Sequence, residues 1–171
     1  MHFLPYIFMK NLKYLRLKKE YTQTTLADFL GVGTGVVARW ELGQTCPSLC
    51  QLLKLCRILC CSPAQLLLDD EYLCDNVHST FIPLFREDDV TAYPLSASAE
   101  ETLPHFGIFL PYDVSERISE GDICFFTIAD SAAEGNTVIA VSGDGEEKIV
   151  QYSAGSDYMV IAVCTGLRRS I

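Results

Sequence analysis

The stretch Tyr21-Thr-Gln-Thr-Thr-Leu-Ala-Asp-Phe-Leu-Gly-Val-Gly-Thr-Gly-Val-Val-Ala-Arg-Trp-Glu-Leu-Gly43 decides how the first part of this chain folds. Thr22 is a natural N-cap, because its hydroxyl oxygen can accept from an orphan backbone N–H one turn on. Leu26, Ala27, Phe29 and Leu30 follow at helical spacing, and Gly31 suits the left-handed cap that ends a helix. Val32 is expected to pack in the turn. A second helix then runs from about Thr34 to Leu42 and stops at Gly43, with Val37 and Trp40 three residues apart on its inward face.

Working outward, Ile7, Leu12, Leu15 and Leu17 among Lys10, Lys13, Arg16, Lys18 and Lys19 predict an earlier helix with a basic face, ending near Glu20. Downstream, Cys46-Pro47 breaks the chain. Ser48 to Leu59 predict a fourth helix, with Leu49, Leu52, Leu53, Cys56 and Leu59 inward. A fifth begins at Ser62 as N-cap with Pro63 in the first helical position, where its missing N–H costs nothing. Residues 1–68 therefore read as a five-helix all-α domain. Two short helices joined by a glycine-containing turn are a device for setting a helix into the DNA major groove.

The charge divides along the same line. Residues 1–68 hold eight Lys/Arg and three acids, a net +5, and the remainder five Lys/Arg and nineteen acids, a net −14, giving −9 for the 171 residues. Phosphate repels a chain that is acidic overall, but only the first half needs to approach DNA. The acidic half is expected to face away. Met1 to Met9 is apolar but too short to span a bilayer and lacks the basic start and cleavage site of a signal peptide. A cytoplasmic protein without a membrane segment is expected. Its eight cysteines, at 46, 50, 56, 60, 61, 74, 124 and 164, are then mostly free thiols. Cys46, Cys50, Cys56, Cys60 and Cys61 crowd around the fourth helix, with Cys50, Cys56 and Cys60 within reach of one helix surface. No C-x-x-C pair of the kind structural zinc sites use is present, so core packing, with no metal or cofactor, is the reading preferred over a metal or redox sensor. His2, His78 and His105 are isolated and read as surface or packing residues.

Residues 69–80 are acidic and without period, and read as a linker. Arg86 to Glu101 is similarly polar. Phe81–Phe85, Ile108–Leu110, Ile123–Ile128, Thr137–Val141, Lys148–Tyr152 and Tyr158–Val163 are β-branched or aromatic runs between Gly/Asp/Ser turns. Residues 81–171 are therefore expected to form a small, mainly antiparallel β domain of about six strands.

Gln23, Leu26-Ala27, Gly31-Val32, Trp40-Glu41, Gly43, Pro47-Ser48 and Leu52-Leu53 stand in the order and spacing of the Cro/phage-repressor (XRE-type) helix-turn-helix family, which residues 7 to 68 resemble. The resemblance implies a transcriptional regulator bound to double-stranded DNA. It places Arg16 and Glu41 as a structural ion pair linking the first and third helices rather than as DNA contacts. It places Gln23 at a phosphate, where a helix N-terminus already favours anions. Thr34, Gly35, Val36, Ala38 and Arg39 take the groove-facing positions. Arg39 can pair bidentately with guanine or clamp a phosphate, Thr34 can bond a base or phosphate, and Val36 and Ala38 can meet thymine methyls. Gly33 and Gly35 stand where family members often carry polar side chains, so part of the discrimination is expected from close backbone approach or DNA shape. Lys10, Lys13, Lys18 and Lys19 are candidates for phosphate contacts or a solvated face.

The second half is similar to the C-terminal domain of LexA-like and phage repressors, through Ile118-Ser-Glu-Gly-Asp-Ile123, Glu134-Gly-Asn-Thr-Val-Ile-Ala140, the strand to Gln151, and Gly166-Leu-Arg-Arg169. Active members of that family cleave themselves with a Ser nucleophile and a Lys base. Here the Ser position falls on Asp113 or Tyr112, the Lys position on Gln151, and no Ala-Gly occurs between residues 69 and 107. The resemblance thus implies a LexA-like fold that has lost its dyad and serves dimerisation or sensing. An alternative pairs Ser115 with Lys148. The expected function is a phage-type repressor binding an operator as a homodimer, not an enzyme. The competing reading is an antitoxin or anti-repressor-like protein whose acidic domain binds a protein partner.

Overall fold

The computed structural model describes residues 5–69, 80–86, 90–95 and 104–169. Most of the expected 69–80 linker, the Ser-Ala-Ser-Ala run, His2, His78 and Cys74 lie outside them. The chain begins with five helices, α1 (Pro5–Lys18), α2 (Gln23–Leu30), α3 (Thr34–Glu41), α4 (Leu49–Leu59) and α5 (Pro63–Leu67). Their ends are set by local chemistry. The Thr22 hydroxyl accepts from the Thr25 N–H, and Gly31 closes α2 at φ +70°, a conformation glycine adopts without the Cβ clash of other residues. Ser48 and Ser62 each form a reciprocal capping box, with Gln51 and Gln65, and Pro63 opens α5.

The helices close over Phe8, Leu12, Leu26, Val37, Trp40, Leu52, Leu53, Leu55 and Leu59, each at most 2% exposed. Two expected inward residues are corrected: Leu17 is 55% and Phe29 58% exposed. Leu17 sits beyond the stripe formed by Phe8, Leu12 and the inward-turned Arg16. Phe29 lies on the outer face of α2, edge-on to Tyr21. Phe8 and Leu55 take core places not anticipated from the spacing. Asn11 Nδ2 donates to the Leu68 carbonyl at 3.1 Å, tying α1 to the end of α5.

The second half is a seven-stranded sheet of β1 (Thr80–Phe85), β2 (Val90–Leu95), β3 (Phe106–Phe109), β4 (Ile123–Ile128), β5 (Thr137–Val141), β6 (Glu147–Gln151) and β7 (Met159–Arg168), in spatial order β2-β1-β3-β4-β7-β5-β6. Neighbours run antiparallel except β1 and β3, which pair in parallel through Leu84–Gly107 and Phe85–Ile108. The seventh strand is β2, from the segment that reads as polar. It forms at an edge of the sheet with Val90 as its buried residue, and an edge tolerates Pro94. The expected Tyr158–Val163 segment and the Gly166-Leu-Arg-Arg169 stretch belong to one ten-residue strand, β7, kinked by a register shift opposite Phe125/Phe126.

Buried side chains of the helices and of the sheet touch in one cluster, with α5 packed on β1. Polar bonds cross the same junction. Glu147 Oε1 accepts from the Cys50 N–H at 2.9 Å, a cap on the N-terminus of α4 supplied by β6. Arg57 donates to the Ile161 carbonyl at 3.3 Å and pairs with Asp130.

Candidate nucleic-acid interface

The α2–turn–α3 unit is held from beneath by one buried charge cluster. Arg16 Nε donates to Glu41 Oε1 at 2.5 Å and its NH2 to Glu41 Oε2 at 3.0 Å, a two-pronged pair between α1 and the last residue of α3. The remaining guanidinium nitrogen donates to the Tyr21 carbonyl at 2.7 Å, and Gln23 Nε2 donates to Glu41 Oε2 at 2.8 Å. Arg16 and Glu41 are each 7% exposed. Charges so far from water persist only when paired and hydrogen-bonded, and these four bonds give each guanidinium nitrogen and each carboxylate oxygen of the pair a partner. Burial pushes the Glu41 carboxyl up, but the hydrogen bonds from Arg16 and Gln23, with the charges of Arg16 and Lys13, more than offset it and leave it below its ordinary value. The hydrogen bond to Glu41 raises Arg16 in turn, against the effect of its burial. The sequence suggests the Arg16–Glu41 pairing. It does not reveal that Tyr21 and Gln23 complete the cluster.

This cluster fixes which face of α3 looks outward. Val37 and Trp40 turn into the core, while Thr34, Gly35 and Arg39 are exposed and Val36 and Ala38 half-exposed. Val36 also packs partly against the core, so less of it is free than the expected groove-facing position would leave. Gly33 caps α3 with ordinary extended geometry and no side-chain hydrogen bond. A Cβ built on Gly33 or Gly35 would meet nothing within 4 Å. Neither glycine is required by packing or by a left-handed backbone, and Gly35 costs the helix about 1 kcal/mol relative to Ala. Gln23, at the start of α2, gives one amide hydrogen to Glu41 and keeps a second. Lys10, Lys13 and Lys18 are exposed on α1 and Lys19 in the turn that follows it.

The cysteines divide between core and surface. Cys50 and Cys56 are buried, Cys46 and Cys61 half-buried, and Cys60 is exposed at the left-handed C-cap of α4. Cys50, Cys56 and Cys60 thus do not share one accessible helix surface. In the β domain, His105 Nδ1 accepts from the Ile128 N–H at 3.1 Å, and burial lowers the pKa of that imidazole. Asp113 accepts from the Glu120 N–H at 2.8 Å. Ser115 Oγ accepts from the Arg117 N–H at 3.3 Å, and Lys148 Nζ lies 2.8 Å from Glu146. Gln151 ends β6, exposed and opposite Thr137.

Residues 12–66 match the family model described as helix-turn-helix, HTH_3. Among solved structures, the restriction-modification controller protein C.AhdI from Aeromonas hydrophila is 37% identical over 34% of this chain and 89% of its own, with a TM-score of 0.33. The clp gene regulator ClgR from Corynebacterium glutamicum is 28% identical over 38% and 69%, with a TM-score of 0.37. The SOS-response transcriptional repressor LexA from Eubacterium rectale is 22% identical over 57% and 94%, with a TM-score of 0.40. No curated protein sequence matches the chain. No helix among the described residues is long and apolar enough to cross a membrane. Through residues 12–66, which carry the buried Arg16–Glu41 cluster and the outward face of α3, the chain belongs to the HTH_3 helix-turn-helix family of DNA-binding domains.

Proposed function

We propose that the protein is a transcriptional repressor that binds a two-fold symmetric operator as a homodimer. In this reading residues 1–68 enter the major groove through α3, residues 69–80 link the two parts, and residues 81–171 serve dimerisation or sensing. The observation that carries it is the division of α3: the buried charge cluster and Trp40 hold one face, and Thr34, Gly35 and Arg39 are left exposed on the other. Arg39 is the base-reading or phosphate-clamping group, Thr34 bonds a base or phosphate, and Val36 and Ala38 meet thymine methyls. The bare positions Gly33 and Gly35 let the helix backbone approach the duplex closely. Gln23 offers its second amide hydrogen to a phosphate beside the N-terminus of α2. A single module of this size reads too few bases, and pairing two across half-sites about one helical turn apart supplies the rest. Sedimentation of the full chain with a duplex it selects is expected to give two protomers per duplex. One protomer per duplex at saturation contradicts the dimer reading.

The LexA-like chemistry is proposed to be lost. A Ser/Lys dyad needs a deprotonated amine within reach of the hydroxyl. The hydrogen bond and charge of Glu146 raise the pKa of Lys148, the opposite of what a base requires, and Ser115 accepts from its own turn. Full-length protein incubated at high pH is expected to stay intact on a denaturing gel. A discrete fragment pair that disappears in Ser115→Ala would restore the autoproteolytic reading.

A further inference from the structure

A cleft of about 340 Å³ opens where the N-terminus of α4 meets the sheet. It is at the compact end of the range for small-molecule sites, which run about 300–1,000 Å³ and favour domain junctions. Its walls are apolar and come from both halves of the chain, with Leu49 on the helical side and Phe109, Ile139 and Ile149 on the sheet.

The polar groups of the lining are unequally committed. Ser48 accepts from the Gln51 N–H, and Glu147 accepts from the Cys50 N–H at 2.9 Å, so the one carboxylate of the lining is already turned to the helix terminus. Lys148 is shared with Glu146 at 2.8 Å. Arg86 is exposed, and its guanidinium carbon lies 5.0 Å from the centroid of the Phe109 ring. A guanidinium held over a ring face keeps N–H groups that can bind a carboxylate in a fork. Tyr112 adds a phenol to the lining.

We propose that this cleft is an effector site for a compact organic carboxylate, its aromatic or aliphatic body between Leu49 and Ile149 and its carboxylate on Arg86. An apolar body is required by the walls, and a negative charge by Arg86, the cation of the lining with no carboxylate partner among the described residues, Lys148 being paired with Glu146 and Glu147 being turned to the N-terminus of α4. Because the walls belong to both halves, a bound ligand contacts both at once and favours the arrangement in which the cleft is formed. Ligand binding is measurable without DNA, so its outcome is separate from that of the DNA-binding reading.

The test is calorimetric titration of the full chain with 4-phenylbutanoate and octanoate, and with their amides as neutral matches of the same shape. At least one carboxylate is expected to saturate, and its amide to bind about tenfold more weakly, the equivalent of one charge-assisted hydrogen bond. Arg86→Gln, at an exposed position, is expected to cost the carboxylate a similar factor and the amide nothing. Leu49→Trp, which fills the cleft from the helical side, is expected to abolish binding by both. Absence of saturation by either carboxylate into the millimolar range overturns the proposal. Equal binding of acid and amide does so too, as does an Arg86→Gln variant that binds like wild type.

Discussion

Glu41→Ala is expected to lower the stability of the helical domain by about 3–5 kcal/mol, the cost of leaving a buried charge without its partner. The substitution strands the Arg16 guanidinium at 7% exposure, with the Tyr21 carbonyl as its remaining acceptor among the bonds described, and frees Gln23. Trp40 is the single tryptophan and is 2% exposed beside this cluster. Its fluorescence therefore reports unfolding at the helices. Replacing both partners by apolar residues of similar length, Arg16→Met with Glu41→Leu, is expected to recover most of the loss, since a buried ion pair gains little over well-packed hydrophobes. If Glu41→Ala alone melts like wild type, the cluster does not organise the domain.

The same cluster sets a pH dependence. The folded carboxyl of Glu41 lies below its ordinary value of 4.5, so the unfolded chain takes up the proton first as pH falls. The stabilisation is complete above that ordinary value and is lost as pH drops through the lower folded one. The Trp40-reported denaturation midpoint is expected to hold from neutral pH down to about pH 5 and to fall below it, and to show much less of this fall in the Met/Leu double variant.

The second large effect is on DNA. Arg39 is exposed on the last turn of α3, and no described residue bonds its side chain, so Arg39→Ala is expected to change stability by no more than about 0.5 kcal/mol. On a selected site it is expected to weaken binding by about 5- to 150-fold, the loss of one bidentate base contact worth about 1–3 kcal/mol. The pattern of loss identifies the contact. A loss confined to the selected sequence means that Arg39 reads a base, and a uniform loss with a shallower salt dependence means that it clamps a phosphate. Anisotropy titrations of selected and scrambled duplexes at several salt concentrations distinguish the two. Undiminished affinity for the selected site would remove α3 as the reading element.

What the sequence reveals and what it hides follow from the range of the interactions. Capping is local, so Thr22, Gly31, Ser48, Ser62 and Pro63 mark the helix ends correctly from the sequence. Core assignment depends on the face each helix turns inward. On α1 the buried Arg16 takes a place that hydrophobic spacing gives to Leu17, because Glu41, 25 residues away, draws the guanidinium in. The strand β2 is hidden because an edge strand with one buried residue has no full apolar period to detect. The bonds from Glu147 to α4, and from Arg57 to Asp130 and to Ile161, join residues tens of positions apart across the junction of the two halves. No spacing rule announces them. At the candidate site, the outward face of α3 is legible from Val37 and Trp40, whereas the engagement of Gln23 by Glu41 emerges only once three helices are assembled.

Whether α3 reads a specific site in a paired arrangement is decided by selection from a random duplex pool with the full chain. Two related half-sites in inverted orientation, with centres about 10 bp apart or a multiple of that, are expected to be enriched, and the enrichment to be lost with Arg39→Ala. A pool that stays random after repeated rounds, in salt low enough for non-specific binding to be retained, would contradict paired reading by α3.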